Sequence, residues 1–330
     1  MSLGSARASV NILTQLGAET TPGTAVPCDK KLPGLTINLS PSNTTKFYRP
    51  SGKKYLNTGV LQKVSARGNY KGPLSFTEII YPLSGYIGSA DPTAIPSTSA
   101  KQWDFLPSDT GPESNKSFTW QEGDASAAQQ AAYVVFNSVK INLTRDSGEI
   151  SGTCFSQPID ESATLTASPT DVSQMPVSGN TIDFYIDSTF GGIGGTKMTD
   201  PYELDIDLPE KFVEKWPVNS SNASWKEPVE KATEPSGYII LENNAQTRTL
   251  IAAMKQNQLP TYYLRFKCTG IAIGTSAYLL QGDFAIKYED HEKLQDQGGV
   301  YGYKLKFKIV DDSTMGRPYS FRVINTQASL

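Results

Sequence analysis

Histidine is nearly absent from this 330-residue chain: His291 is the only one. A Ser-His-Asp triad would have to use it. It lies between Asp290 and Glu292 in a polar stretch, where a histidine reads as a solvated loop residue. Cysteine is scarce as well. Cys28, Cys154 and Cys268 are odd in number and far apart, with no CxxC pair, so neither a zinc site nor a disulfide framework is indicated. Cys154 and Cys268 fall in alternating apolar patterns and are expected to act as small buried hydrophobes. Charge is thin too: Asp, Glu, Lys and Arg make up 19% of residues, below the usual quarter. The net charge is −3 and no basic stripe is present, so a nucleic-acid grip is not indicated. The densest basic stretch, Lys46, Arg49, Lys53 and Lys54, sits among Ser, Asn and Gly and reads as a solvated loop. No apolar run approaches the roughly 18 residues of a membrane span. Met1 to Gln15 contains no apolar signal-peptide core. The expectation is a soluble protein made in a reducing cytoplasm, with no membrane partner. The sequons at Asn43, Asn115, Asn142, Asn219 and Asn222 are then the chance yield of a Ser-, Thr- and Asn-rich chain.

Motifs for chemistry are missing in the same way. Glu203, Asp205 and Asp207 alternate with Leu204, Ile206 and Leu208, the signature of the outward face of a strand, which needs no metal. Asp311-Asp312 and Glu289-Asp290 have no EF-hand spacing. The run Gly191-Gly192-Ile193-Gly194-Gly195-Thr196-Lys197 lacks both the P-loop order and GxGxxG, and reads as a flexible hairpin tip or mobile loop. No catalytic, cofactor-binding or metal residue is therefore assigned, no cofactor is expected, and the chain is not expected to be an enzyme.

What the sequence does contain is enough apolar material for a core, 38% of residues, mixed with 27 Gly and 21 Pro, a composition that suits strands and turns. Three stretches read as loops or arms: 1–32, 88–116 and a linker at 163–180. They divide the chain into an N-terminal arm, 1–32, and two β domains, 33–172 and 173–330. Each half repeats one order of elements. In the first, Phe76, Ile79, Ile80, Leu83 and Ile87 recur at helical spacing, predicting a short amphipathic helix with one buried stripe. Strands follow at Phe118–Trp120, Tyr133–Phe136, Val139–Leu143 and Ile150–Cys154. In the second, Leu250, Ile251 and Met254 mark a helix after Asn243-Asn244, with strands at Leu264–Cys268, Tyr278–Leu280, Phe284–Tyr288 and Tyr303–Ile309. A longer loop is expected around Glu289–Gly299. The reading is a duplicated, mainly β fold, each copy a sandwich or half-barrel flanked by a short helix.

Aromatic residues stand in two polar stretches: Phe47, Tyr48 and Tyr55 between Ser40 and Thr58, and Phe212, Trp216 and Trp225 between Pro209 and Pro235. Exposed aromatics anchor protein interfaces, and these six are the candidate subunit contacts. They could equally cover the core of their own domain.

Several segments resemble phage major tail tube proteins. The opening Gly17-Ala18-Glu19-Thr20-Thr21-Pro22-Gly23-Thr24-Ala25-Val26-Pro27 is similar to the family's N-terminal signature of a glutamate and a Pro-Gly-Thr-Ala turn, followed by the basic-Leu-Pro step Lys31-Leu32-Pro33. Ser51-Gly52 in its polar loop resembles the family's long β-hairpin. Ser117 to Gly123, Tyr133 to Phe136, Val139 to Leu143, Gly148 to Gly152 and Ala163 to Thr166 follow in the order of the family's sheet core. The resemblance covers the first half by motif and the second by pattern. It implies two fused tube domains, a phage tail tube-like fold, and a trimer of chains forming a pseudo-hexameric ring. Rings would stack into the hollow tail of a siphovirus-like virion. The implied partners are other copies of the chain, the tape-measure, tail-tip and tail-terminator proteins, and passing genomic DNA that is not held tightly. Alternatives are a baseplate or other filament-forming protein, and a carbohydrate-binding β-sandwich using Trp216 and Trp225.

Overall fold

The computed structural model describes residues 11–88, 91–124, 126–218, 223–297 and 299–330. The sequons at Asn219 and Asn222, and the first ten residues of the expected arm, lie outside the described residues. The fold is mainly β, with two α-helices among the described residues. The strands of the N-terminal half are β1 (Leu13–Ala18), β2 (Lys30–Lys31), β3 (Thr36–Pro41), β4 (Thr44–Tyr48), β5 (Thr58–Lys63), β6 (Ala66–Pro73), β7 (Thr93–Ala94) and β8 (Lys101–Phe105). Next come β9 (Phe118–Gly123), β10 (Ala128–Phe136), β11 (Val139–Thr144), β12 (Gly148–Ser156) and β13 (Thr170–Asp171). The C-terminal half adds β14 (Ile182–Asp187), β15 (Pro201–Leu208), β16 (Phe212–Glu214), β17 (Pro228–Glu230) and β18 (Ser236–Glu242). It ends with β19 (Tyr262–Ile273), β20 (Ser276–Gln297), β21 (Val300–Ile309) and β22 (Tyr319–Asn325).

One sheet runs β13–β2–β1–β9–β10. A wider one runs β3–β6–β12–β11–β15–β18–β21–β20. The first part of β20 lies between β19 and β22, with β14 outside β19 and β8 outside β22. β10 belongs to both sheets: Ala128–Ala131 pair with β9, whereas Val135 and Phe136 pair with β12. The chain changes sheet through Tyr133, whose φ of 57° is unusual for a bulky residue. Its N–H donates to Glu19 Oε1 at 2.8 Å. That bond to a buried carboxylate stabilises by about 1.5–3 kcal/mol, enough to offset the 1–2 kcal/mol cost of the left-handed backbone.

The expected strands at Val139–Leu143, Leu264–Cys268 and Tyr303–Ile309 form where alternation places them, because period-two burial is a local property of the chain. The second helix, α2 (Ala245–Met254), starts at Asn244, whose side chain accepts from Thr247 N–H at 2.9 Å. It buries Thr247, Ile251 and Met254 on one face.

Five expectations change. The first helix, α1 (Ile80–Tyr86), is buried on every side rather than along one stripe. Phe136 packs so close that a Cβ on Gly85 would lie 2.7 Å from its ring. The described part of the arm, 11–32, is woven into the fold: β1 pairs along its whole length with β9, and Leu16, Cys28 and Leu32 are buried. Within the 88–116 loop, β8 carries Trp103 and Phe105 into the core. The linker 163–180 is a strap across the first sheet, held where Gln121 Oε1 accepts from Thr166 N–H at 2.8 Å and where Val172 and Val177 are buried. Tyr278–Leu280 and Phe284–Tyr288 are one strand, and the expected loop at Glu289 onward continues β20 against β21.

The halves on either side of residue 172 are joined by the β11–β15 and β8–β22 ladders. They contribute to one hydrophobic cluster reaching from Leu16 to Val323.

Candidate assembly surface

β4 and β5 form a hairpin that stands off this core. Every residue of both strands is exposed. Phe47, Tyr48 and Tyr55 are 59%, 44% and 80% exposed, so the first three candidate contacts share one projecting element. The structure adds Leu56, Val60 and Leu61, also exposed, which the sequence analysis passed over. For Val60 and Leu61 the signal was the apolar pair after Gly59; for Leu56 it was its position beside Tyr55. The hairpin's root is fixed. Val64 N–H donates to Ala223 O at 3.0 Å, and Arg67 pairs with Glu214. Lys63 Nζ lies 4.8 Å from the Trp216 ring centre.

The other three candidates are placed differently. Trp225 is 0% exposed, with its indole N–H donating to Ser156 O at 3.0 Å and its ring 4.5 Å from Tyr133 and 5.3 Å from Phe155. Phe212 is buried in the same small cluster, with Trp216 packed at its edge. These contacts tie Phe212, Trp216 and Trp225 to β10 and β12, so Phe212 and Trp225 are core of their own chain and not available contacts. The polar neighbourhood misled because the covering rings come from far away in sequence.

Beside the hairpin, β3 pairs only with β6 among the described residues. Ile37 and Leu39 point to the core, while Thr36, Asn38 and Ser40 face out. By contrast, the outer edge of β14 is covered by 196–198: Ile186 N–H donates to Thr196 O and Met198 N–H to Phe184 O.

The non-core face of the wide sheet is polar and self-neutralising. In register across it stand Asn142, Asp205, Tyr238 and Lys306, and beside them Lys140, Asp207, Ser236 and Lys308. Lys140 pairs with Asp205 at 3.3 Å, Lys306 pairs with Glu292, and Lys304 Nζ lies 3.7 Å from the Tyr238 ring centre. Glu203 accepts from Tyr238 O–H at 2.7 Å. The Glu203/Asp205/Asp207 stripe faces away from Leu204, Ile206 and Leu208 as alternation required, although Asp205 is buried beneath its partners.

The remaining polar groups serve packing. Lys211, buried behind β16, pairs with Glu113 and with Glu230 at 3.0 Å. Burial holds the Glu113 carboxyl above its ordinary range against the pull of Lys211. His291 lies on β20 rather than in a loop, with Nδ1 2.7 Å from Tyr288 Oη. The glycine-rich run is an ordered turn: Asp187 accepts from Gly194 N–H at 2.9 Å and Thr196 N–H at 3.1 Å. All three cysteines are free and buried. Desolvation pushes the Cys28 and Cys154 thiols up to about 12, so they are neutral and unreactive at physiological pH. Among the described residues, no group of three His, Cys, Asp or Glu could hold a metal ion, and no helix is long and apolar enough to cross a membrane. No known family model matches the sequence, and no curated protein matches it.

Proposed function

We propose that this chain is the tail tube protein of a long-tailed bacteriophage, two fused tube-like β units whose trimeric rings stack into a conduit for DNA. The observation that carries the reading is the solvent-exposed aromatic hairpin beside the open edge of β3. A monomer that leaves six large apolar side chains and a strand edge in water is built to be covered. Assembly through different surfaces of successive copies is open-ended and produces filaments. The order of motifs from Glu19 to Thr166 supports the family, and the recurrence of a helix followed by strands in each half supports three chains per quasi-sixfold ring. The self-neutralised face of the wide sheet suits a wall along which a polyanion moves without being held. Tape-measure, tail-tip and terminator proteins are the further partners. A carbohydrate site on the tryptophans is disfavoured, because enclosed Trp225 offers no face for a sugar. The test is negative-stain microscopy of the concentrated protein. Hollow tubes with three chains per ring are expected; discrete rings that never stack would point to a baseplate component, and six full chains per ring would refute the trimer.

A further inference from the structure

Away from the hairpin, one charged group is built more elaborately than packing requires. The side chains of Lys211 and Glu113 are 7% and 5% exposed, and among the described residues no other Lys–carboxylate pair has both members so deeply buried. Desolvating two charges can cost more than their attraction returns. The group is also unbalanced, because Glu230 Oε1 is a second carboxylate oxygen 3.0 Å from Lys211 Nζ. Both chain segments are fixed in place. Asn137 Oδ1 accepts from Phe212 N–H at 2.7 Å and from Lys211 N–H at 3.2 Å, and Lys211 O accepts from Lys231 N–H at 2.9 Å. Glu113 lies in 106–117, which forms no strand between β8 and β9. Its Oε1 accepts from Ser108 N–H at 3.0 Å, which leaves Oε2 against the lysine. Lys211 Nζ is walled by the Tyr86 and Phe212 rings, each centred 5.6 Å away, and donates to Tyr86 O at 3.3 Å.

These are the parts of an acyl transfer. An amine stands against a carboxyl carbon, a backbone N–H covers the oxygen that would gather charge, and a second carboxylate touches the amine to take its proton. Groups held in this way react as if at concentrations on the order of 10⁵–10⁸ M, which offsets the tendency of acids and amines to stay apart in water. From this geometry we infer that Lys211 and Glu113 become joined by an isopeptide bond, which the folded chain forms by itself.

Glu230 takes a proton from Lys211 Nζ and delivers it to Glu113 Oε2, leaving a free amine beside a neutral acid. The burial that raises Glu113 favours that neutral form. The amine attacks Cδ. The Nζ–Cδ bond forms, charge gathers on Oε1 in front of Ser108 N–H, and the Cδ–Oε2 bond breaks. The second proton shed by Nζ leaves with Oε2 as water. One ammonium and one carboxylate become one amide and one water, with no oxidant and no change in net charge. A cleft of about 280 Å³, lined in part by Glu113, Lys211, Glu230 and Tyr319, receives the water. The bond closes a loop across 98 residues and ties the strandless 106–117 segment to the start of β16. In a chain whose three cysteines are all free, it supplies the covalent brace that a disulfide would otherwise give. It needs no second copy and stands or falls apart from the tube reading.

The experiment is mass spectrometry of the denatured full-length protein, followed by trypsin digestion. The intact mass should be one water short of the sequence. The digest should hold a branched peptide in which 102–116 is joined to 198–215, with Lys211 left uncut. Lys211→Arg keeps the positive charge but cannot form the amide, so it should show the full mass and separate peptides. Glu230→Gln leaves both bonding residues intact and should slow linkage by on the order of 100-fold, read as the linked fraction at successive times after synthesis. Native protein with the full mass and separate peptides overturns the inference, a result that depends on no variant folding. So does a loss of water confined to one peptide, the mark of an aspartate closing on its own backbone, or a cross-link that ends at Glu230 instead of Glu113. A Glu230→Gln chain that links as fast as the native one overturns the role given to Glu230.

Discussion

Replacing Glu19 by alanine tests whether the N-terminal segment is part of the fold. The side chain is 3% exposed and collects four donors. These are Gly23 N–H at 2.8 Å, Tyr133 N–H at 2.8 Å, Ser117 O–H at 2.6 Å and Thr119 O–H at 3.1 Å. It thereby closes the turn before Gly23, whose φ is 79°, and holds Tyr133 where β10 changes sheet. Alanine removes all four acceptor contacts. The two hydroxyls can rotate toward other oxygens, but the two amides are fixed by the backbone. At about 1–3 kcal/mol for each unsatisfied buried donor, the loss is about 4 kcal/mol, a large share of an ordinary folding stability. With an unfolding entropy near 0.7 kcal/mol/K for a chain of this length, the melting temperature should fall by about 6 °C. Glu19→Gln keeps one acceptor oxygen and turns the other into a donor facing Gly23 N–H, so it should lose about half as much. Differential scanning calorimetry at neutral pH reads both. An alanine variant melting within about 1 °C of the native protein would refute the reasoning and return the segment to the status of a loose arm.

Trp225→Ala should cost about 3–5 kcal/mol, whereas Phe47→Ala should stay within about 0.5 kcal/mol, a contrast that chemical denaturation resolves. Replacing Tyr48–Thr58 by a two-residue turn should leave melting unchanged and abolish tubes in microscopy; unfolding of that variant would mean that the hairpin is part of the core. Burial raises the Glu78 pKa from 4.5, against the pull of the Gly34 and Leu35 amides, so the folded state holds its proton more tightly than the unfolded state. The stability this group contributes is present below about 4.5 and is lost as pH rises through its raised folded value, and Glu78→Gln should flatten that decline in melts. With a net charge of −3, the isolated protein should not bind duplex DNA tightly at physiological salt, and a sub-micromolar mobility shift would sink the passive-conduit reading.

The sequence by itself determined what depends on neighbours a few residues away. Val139, Ile141 and Leu143 specify a strand because successive side chains must point to opposite faces. Asn244 with Leu250, Ile251 and Met254 specifies α2 because the cap and the stripe lie within three turns. That Phe47, Tyr48 and Tyr55 stand in a polar stretch was legible, but whether they stay exposed or cover their own core was left open and decided by the fold. Tertiary structure decided what covers each face, since that is supplied from elsewhere in the chain. Trp225 sits in as polar a stretch as Tyr55, yet Tyr133 and Phe155 enclose it. β8 lies in a Ser- and Pro-rich run, yet β22, more than two hundred residues away, draws Trp103 and Phe105 inward. The polar continuation of β20 past Glu289 has no apolar alternation to announce it, and its backbone is strand because β21 answers its hydrogen bonds. Periodicity records which side chains can face the same way; burial requires a second surface, and a linear pattern does not say where along the chain that surface will be found.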